Sequence, residues 1–222
     1  MNINTVICVH GFWSHGTGMY LIKRRLEKEF GFRAHLFSYR SVHGTLDQNA
    51  AALERFIDEL DVDGAHIVGH SLGGVLALRM LANNPDALPG RVVCLGSPLT
   101  GSRAAQVLDA QEWAENLIGR SLPAGVIDEP ANTWASHVCE RRDIGVIAGN
   151  VPLGFGRLFA NFDEANDGTI GVSETRLSGA RDHIVMPVSH KGMLVSSDVA
   201  DQAGSFLKRG EFLREISDIS NS

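Results

Sequence analysis

The run Gly69-His70-Ser71-Leu72-Gly73-Gly74 carries the pattern Gly-x-Ser-x-Gly. Serine is a weak nucleophile unless the chain holds its hydroxyl out in the open beside a base. A sharp strand-to-helix turn does this, and its flanking residues must be tiny so that strand and helix can approach. In a chain with 24 glycines, a chance match arises in roughly one case in five. The setting gives the match its weight: a β-like run, His66–Val68, precedes it, and a helical stretch from Val75 to Asn83 follows. Ser71 is then expected at the top of a sheet, able to attack an acyl carbon. The N–H of Leu72, at a helix N-terminus, is expected to face the oxyanion that forms.

The first strand ends in His10-Gly11-Phe12-Trp13. Together, Gly-His-Ser-Leu-Gly-Gly and this early His-Gly resemble the α/β-hydrolase superfamily. The match is to its small lidless bacterial serine esterases and lipases, with the lipase-related GPI inositol-deacylases as distant kin. The resemblance runs from Val6 to about Arg209, and the two leading strands of the full family fold are expected to be missing. It implies the N–H of Phe12 as second oxyanion donor and the chain order Ser, acid, His. It also implies that no cofactor and no metal are needed.

Nine histidines compete for the role of base. His190 follows the last strand-like run, in Ser189-His190-Lys191-Gly192, where this family keeps its base. His183 begins that strand and belongs at its far end. His66 and His70 are four apart, but a strand-to-turn segment does not bring that spacing to one face, so no metal site is read there. His10 and His15 are expected to make structural hydrogen bonds. The acid should follow Ile144–Ala148, yet Asp163, Glu164 and Asp167 all lie 15 or more residues beyond that strand. Asp167, in Asn166-Asp167-Gly168-Thr169-Ile170, resembles the acid loop of this lipase group and is taken as the orienter of His190, with Asp163 its main rival. Asp143 and Asp182 precede strands and belong at the opposite end.

These loops need a frame. Thr5–Val9, Ala34–Tyr39, His66–Val68, Arg91–Leu95, Ile144–Ala148 and Asp182–Val188 read as strands, apolar enough to be covered on both faces. Apolar stripes at helical spacing lie between them. One is Leu46, Ala50, Leu53, Phe56, Ile57 and Leu60; a second is Ile22, Leu26 and Phe30; a third is Val195, Val199, Ala203, Phe206 and Leu207. Alternating strands and helices predict an α/β fold, a mostly parallel sheet of about six strands with helices on both faces and little or no cap. Residues 1–222 are read as one domain, with functional residues in loops at the carboxyl ends of the strands.

Composition closes off other classes. Apolar residues make up 44%, charged residues 21%, and the net charge is −6. A chain of this kind builds a core, and its acidity argues against nucleic acid as a partner. No apolar stretch approaches the ~20 residues of a membrane span, so no integral membrane segment is expected. Three cysteines without paired spacing and a start without an apolar leader point to a reducing, cytoplasmic setting. No phosphate-cradling glycine motif occurs.

The interval Gly96 to Asp143 holds one helix-like stretch, Arg103 to Ile118, and leaves little room for a lid. Trp113, Leu117, Val126, Ile127 and Trp134 in one segment, and Phe155, Leu158, Phe159 and Phe162 in another, are candidates to roof the site or to fill the core. Phe12, Trp13 and Met193 are candidates for an acyl pocket, and Phe155–Phe162 for a flap. The expectation is a serine hydrolase acting on small-molecule acyl esters. A thioesterase or acyltransferase with the same triad is the alternative, and a non-catalytic hydrolase-fold binding protein the second.

Overall fold

The computed structural model describes residues 3–12, 14–87, 90–109, 130–153 and 163–214. Its frame is a six-stranded sheet in the order β2-β1-β3-β4-β5-β6. The strands are β1 (Thr5–Val9), β2 (Arg33–Phe37), β3 (Ala65–His70), β4 (Val92–Leu95), β5 (Ile144–Gly149) and β6 (Asp182–Met186). Every pairing is parallel. All the strand carboxyl ends therefore share one edge, and the loops leaving that edge are those singled out above for their chemistry.

Side chains alternate across the sheet, and both faces are buried along β1, β3, β4 and β5; the edge strand β6, expected to be covered as well, has no buried residue and leaves Val185 43% exposed. Ile7, Val9, Ile67, Val92, Cys94, Ile144 and Val146 pack with α2 (Leu46–Asp58) and α3 (Leu72–Asn83). Val6, Cys8, Val68, Val93, Leu95 and Ile147 pack on the other face, with α1 (Tyr20–Phe30) and a C-terminal helix, Ser197–Arg209. Helix α2 starts at Thr45, whose hydroxyl accepts from Gln48 N while Gln48 reaches back to the Thr45 N–H, a reciprocal capping box. Among the described residues, three short helices follow β4, α4 (Arg103–Asp109), α5 (Ala131–Trp134) and α6 (Ser136–Arg141), and the helix Ser197–Arg209 is α7. Arg25 of α1 grips Asp201 of α7 through two hydrogen bonds, 2.7 and 2.8 Å long, joining residues 176 apart in sequence.

The six strands form where expected, with shifted ends. β2 stops at Phe37 rather than Tyr39, because the Tyr39 N–H leaves the ladder and donates to His10 Nε2 at 3.2 Å. β3 runs on to His70, and Ser71 N still donates to Leu95 O at 2.8 Å. β6 ends at Met186 because Pro187 has no N–H to give the ladder. Val195 does not belong to the α7 stripe; it lies ahead of the helix and is 67% exposed. The helix read from Arg103 to Ile118 is present as α4 up to Asp109, and its remainder lies outside the described residues.

Candidate active site

Ser71 has φ 53° and ψ −125°, a backbone conformation that strains any residue but glycine, typically by ~1–3 kcal/mol. Its surroundings enforce it. A Cβ on Gly69 would stand 2.5 Å from Gly74 N, and one on Gly73 would strike the Val9 carbonyl oxygen and lie 2.5 Å from His10 O. Only glycine at both positions lets β3, α3 and the end of β1 meet, and the serine absorbs the turn. A Cβ on Gly11 would lie 2.9 Å from Ser71 Cβ, so the Gly11–Phe12 segment runs directly alongside the serine. Leu72 buries its side chain at 1% exposure as the first residue of α3. Its N–H, in the first turn, has no acceptor within the helix.

His190 and Asp167 meet. His190 Nδ1 lies 2.7 Å from Asp167 Oδ2, and His190 N donates to Asp167 O at 2.8 Å. With Nδ1–H donating to the carboxylate, Nε2 keeps its lone pair. Asp167 is fully buried, a position that is costly for a carboxylate without partners. Its Oδ1 accepts from Thr169 N at 2.9 Å and Ile170 N at 2.7 Å, so both oxygens are engaged. The turn behind this is the Asn-Asp-Gly of the sequence. Asn166 Oδ1 accepts from Gly168 N at 3.0 Å, and Gly168 takes φ 91°, which a side chain would resist. The long gap between β5 and the acid is closed by a return of the chain: a Cβ on Gly149, the last residue of β5, would come 2.8 Å from Asp167 Cβ.

The rival carboxylates are elsewhere. Asp163 is exposed, and Glu164 is bound to Arg103 and to Ser173 Oγ at 2.6 Å. Asp143 pairs with Arg91 at 2.9 Å, and Asp182 pairs with Arg214 at the amino end of β6. His183, at that same end, lies 2.9 Å from Thr175 Oγ1.

Three braces surround the site; the one at His10 is of the structural kind expected of that residue, and the other two have no pattern in the sequence. His70 Nε2 lies 2.9 Å from the His190 carbonyl oxygen. His10 stacks on Tyr39 at 4.4 Å; its Nε2 accepts from Tyr39 N, so its Nδ1–H donates to Gly11 O at 2.7 Å. That pins the loop carrying Phe12. Buried Glu174 accepts from Gly171 N at 2.8 Å and Arg103 N at 2.7 Å, tying the acid loop to the segment after β4.

Burial lowers the pKa of His10, His66, His70 and His183 below the ordinary imidazole value; His66 is pushed down to about 4 and His70 to about 3. The unfolded chain takes up these protons near pH 6.5 and the folded chain does not. Their stabilising contribution is therefore complete above that pH and is lost as the pH falls towards the folded values. Moving from about pH 7 to about pH 5 should remove ~2 kcal/mol for each of His66 and His70. Urea unfolding at the two pH values checks this; an unchanged midpoint would mean that these rings protonate in place.

A profile of the alpha/beta hydrolase family matches residues 6–206. The chain belongs to that family. The chain is 31% identical over 111 residues to Lipase LipV of Mycobacterium tuberculosis, a match covering 47% of the chain and 42% of that protein. It is 25% identical over 152 residues to the bovine (Lyso)-N-acylphosphatidylethanolamine lipase, covering 61% of the chain and 44% of that enzyme. The matched segments thus span less than half of these curated relatives. Among solved structures, the mature lipase BlEst2 of Bacillus licheniformis superposes with a TM-score of 0.70, at 16% identity, over 95% of this chain and 93% of that one.

In the hydrolase, Trp134 takes the core alternative: it packs against the α2/α3 face, with the Arg79 guanidinium 5.2 Å from its ring centre. Met193 is also interior. It is fully buried in the cluster that contains α1 and α7, close to the Asp167–His190 pair, and does not line an acyl pocket as expected. Trp13, Trp113, Leu117, Val126 and Ile127 lie outside the described residues, as does the aromatic segment Phe155, Leu158, Phe159 and Phe162. No helix among the described residues is long and apolar enough to cross a membrane.

Proposed function

We propose that this alpha/beta hydrolase cleaves carboxylic esters of small molecules, in the manner of an esterase or lipase, with Ser71, His190 and Asp167 as its triad. The observation that carries the reading is the buried Asp167–His190 pair at 2.7 Å, on a loop fastened to the residue next to a serine held at φ 53°. His190 Nε2 takes the Ser71 proton as Oγ attacks the acyl carbon, and the N–H groups of Phe12 and Leu72 hold the oxyanion. The proton then passes to the leaving alcohol. Water, deprotonated by the same imidazole, releases the acid from the acyl-enzyme. Every proton and charge is handled by side chains and backbone, so the cycle calls for neither cofactor nor metal. Residues 1–222 act as one catalytic unit in this reading, and the three free cysteines fit a cytoplasmic setting.

The relatives include lipases, which supports an apolar acyl group. Leu153, whose backbone adjoins Gly168 of the acid loop, is 66% exposed and offers apolar surface there. Labelling with a fluorophosphonate followed by peptide mapping tests the reading in one step, because it requires an activated serine with open access; the adduct is expected on Ser71. An adduct on any other serine overturns the assignment. Comparing a matched thioester and oxygen ester then separates ester hydrolysis from the thioesterase alternative.

Acyl length is a further expectation. A site with little roof gains ~0.8 kcal/mol for each methylene it buries, and methylenes beyond the groove stay wet. Preference for about C4–C8 esters is expected, with a smooth rise of rate through the substrate's solubility limit. Rates against concentration for a C4 and a C16 ester check this. A jump at the solubility limit, or a C16 preference, would make Phe155–Phe162 a working lid.

A further inference from the structure

His70 stands out because the chemistry proposed above does not use it, yet it occupies the position before the nucleophile with its ring against the base. The two rings, His70 and His190, lie 4.7 Å apart between centroids. His70 Nε2 is 2.9 Å from the carbonyl oxygen of His190. A carbonyl only accepts, so Nε2 carries the proton and His70 is the donor. The charged and titratable groups around it are His190, Asp167 and His10. On its other side a Cβ added to Gly11 would lie 3.1 Å from His70 Nδ1, so the ring fills the space between the oxyanion loop and the base loop.

We propose that His70 is a positioning residue: its Nε2–H fastens the main chain of His190 to the serine turn and so fixes the base relative to Ser71. This rests on the triad reading. The base loop departs from β6, an edge strand, and returns to α7. Its main chain at His190 is held from two directions, by N–H to the Asp167 carbonyl and by C=O to His70. The first bond sets the imidazole against its acid. The second sets it against the nucleophile, because His70 is bonded directly to Ser71, whose own N–H is held by Leu95 O at 2.8 Å. Ser71, His70 and His190 thus form one short mechanical link that does not pass through the rest of the sheet. Burial holds the His70 pKa down to about 3, so the ring stays neutral. It therefore remains a donor without placing a second cation beside the imidazolium that His190 becomes during turnover.

The test compares wild type with His70→Gln, whose amide nitrogen can reach the same carbonyl, and His70→Phe, which fills similar space without a donor. Misplacing a base by a fraction of an ångström to 1 Å costs up to ~10²-fold. His70→Phe is expected to lose about 10–100-fold in kcat with KM changed less than about twofold, and His70→Gln to recover most of that loss. The acid limb of the kcat/KM profile in His70→Gln should coincide with wild type, because His70 stays neutral and contributes no ionisation to it. Equal kcat in wild type and His70→Phe, equal losses in the two variants, or an ionisation missing from the Gln profile would each overturn the proposal. Thermal melting accompanies each variant, and His70→Leu replaces phenylalanine if the larger ring prevents folding. ¹⁵N-histidine NMR of the unmodified protein adds a readout independent of turnover: His70 should appear as the neutral Nε2–H tautomer throughout about pH 5–8. A ring that titrates in that range removes the basis of the proposal. Absence of ester turnover and of serine labelling in wild type would instead remove the triad reading, with the NMR result still standing for the hydrogen bond itself.

Discussion

Ser71→Ala is expected to lose ester hydrolysis and fluorophosphonate labelling together, with kcat falling about 10⁶-fold. The size follows from what remains. Without Oγ there is no acyl-enzyme route, and the remaining groups, the Phe12 and Leu72 N–H donors and His190, are left to act on direct attack by water. Such a remnant is worth ~10³–10⁴ over the uncatalysed rate in enzymes of this type. Alanine inherits the strained φ of 53° and keeps the Cβ that faces Gly11, so the thermal midpoint should move little. Parallel measurement of melting and turnover separates loss of chemistry from loss of fold. Residual activity within tenfold of wild type in a well-folded Ser71→Ala would end the proposed mechanism.

The second large effect belongs to the acid. Asp167→Asn should lower kcat by ~10³–10⁴ with the fold intact. The amide oxygen of asparagine can take the place of Oδ1 and accept from Thr169 N and Ile170 N, the two bonds that anchor the carboxylate now. That leaves an NH₂ donor facing His190 Nδ1, where the wild type has an acceptor 2.7 Å away. The imidazole then prefers to carry its proton on Nε2, the nitrogen that must receive one from Ser71. Asp163→Asn should cost less than about tenfold, because Asp163 is exposed and outside this network. Steady-state kinetics of the two variants decides, and a reversed order would transfer the acid's role to Asp163.

The contrast between these carboxylates marks what the sequence made legible. The strained turn at Ser71 could be read because its requirements are local: a strand, a turn, and glycine at positions 69 and 73. The six strands were readable for a similar reason, since apolar residues facing both ways in β1 or β3 leave no solvent face. Asp167 was harder. Its distance along the chain from β5 says nothing about its distance in space, and only the missing Cβ of Gly149 lets the loop fold back. The donor role of His70 was not legible at all, because a bond from a ring nitrogen to a main-chain carbonyl 120 residues later has no residue-type pattern. Strand ends shifted where one polar group drew another away, as at Tyr39, or where proline withheld a donor, as at Pro187. Met193 is apolar in either environment, so its type does not separate a pocket wall from the interior.

The grip between α1 and α7 has a consequence for how the protein is made. Arg25 meets Asp201 across 176 residues, and the apolar side of α1 is completed by side chains of α7. A ribosome adding ~5–20 residues per second needs about 9–35 s to travel that distance. Throughout that interval Ile22 and Leu26 lack their final cover, and for much of it the turn at Ser71 stands without Asp167 and His190. Chaperone occupancy on the growing chain should therefore concentrate on this half of the sheet. The proposed triad can assemble only once the loop bearing His190 has left the exit tunnel.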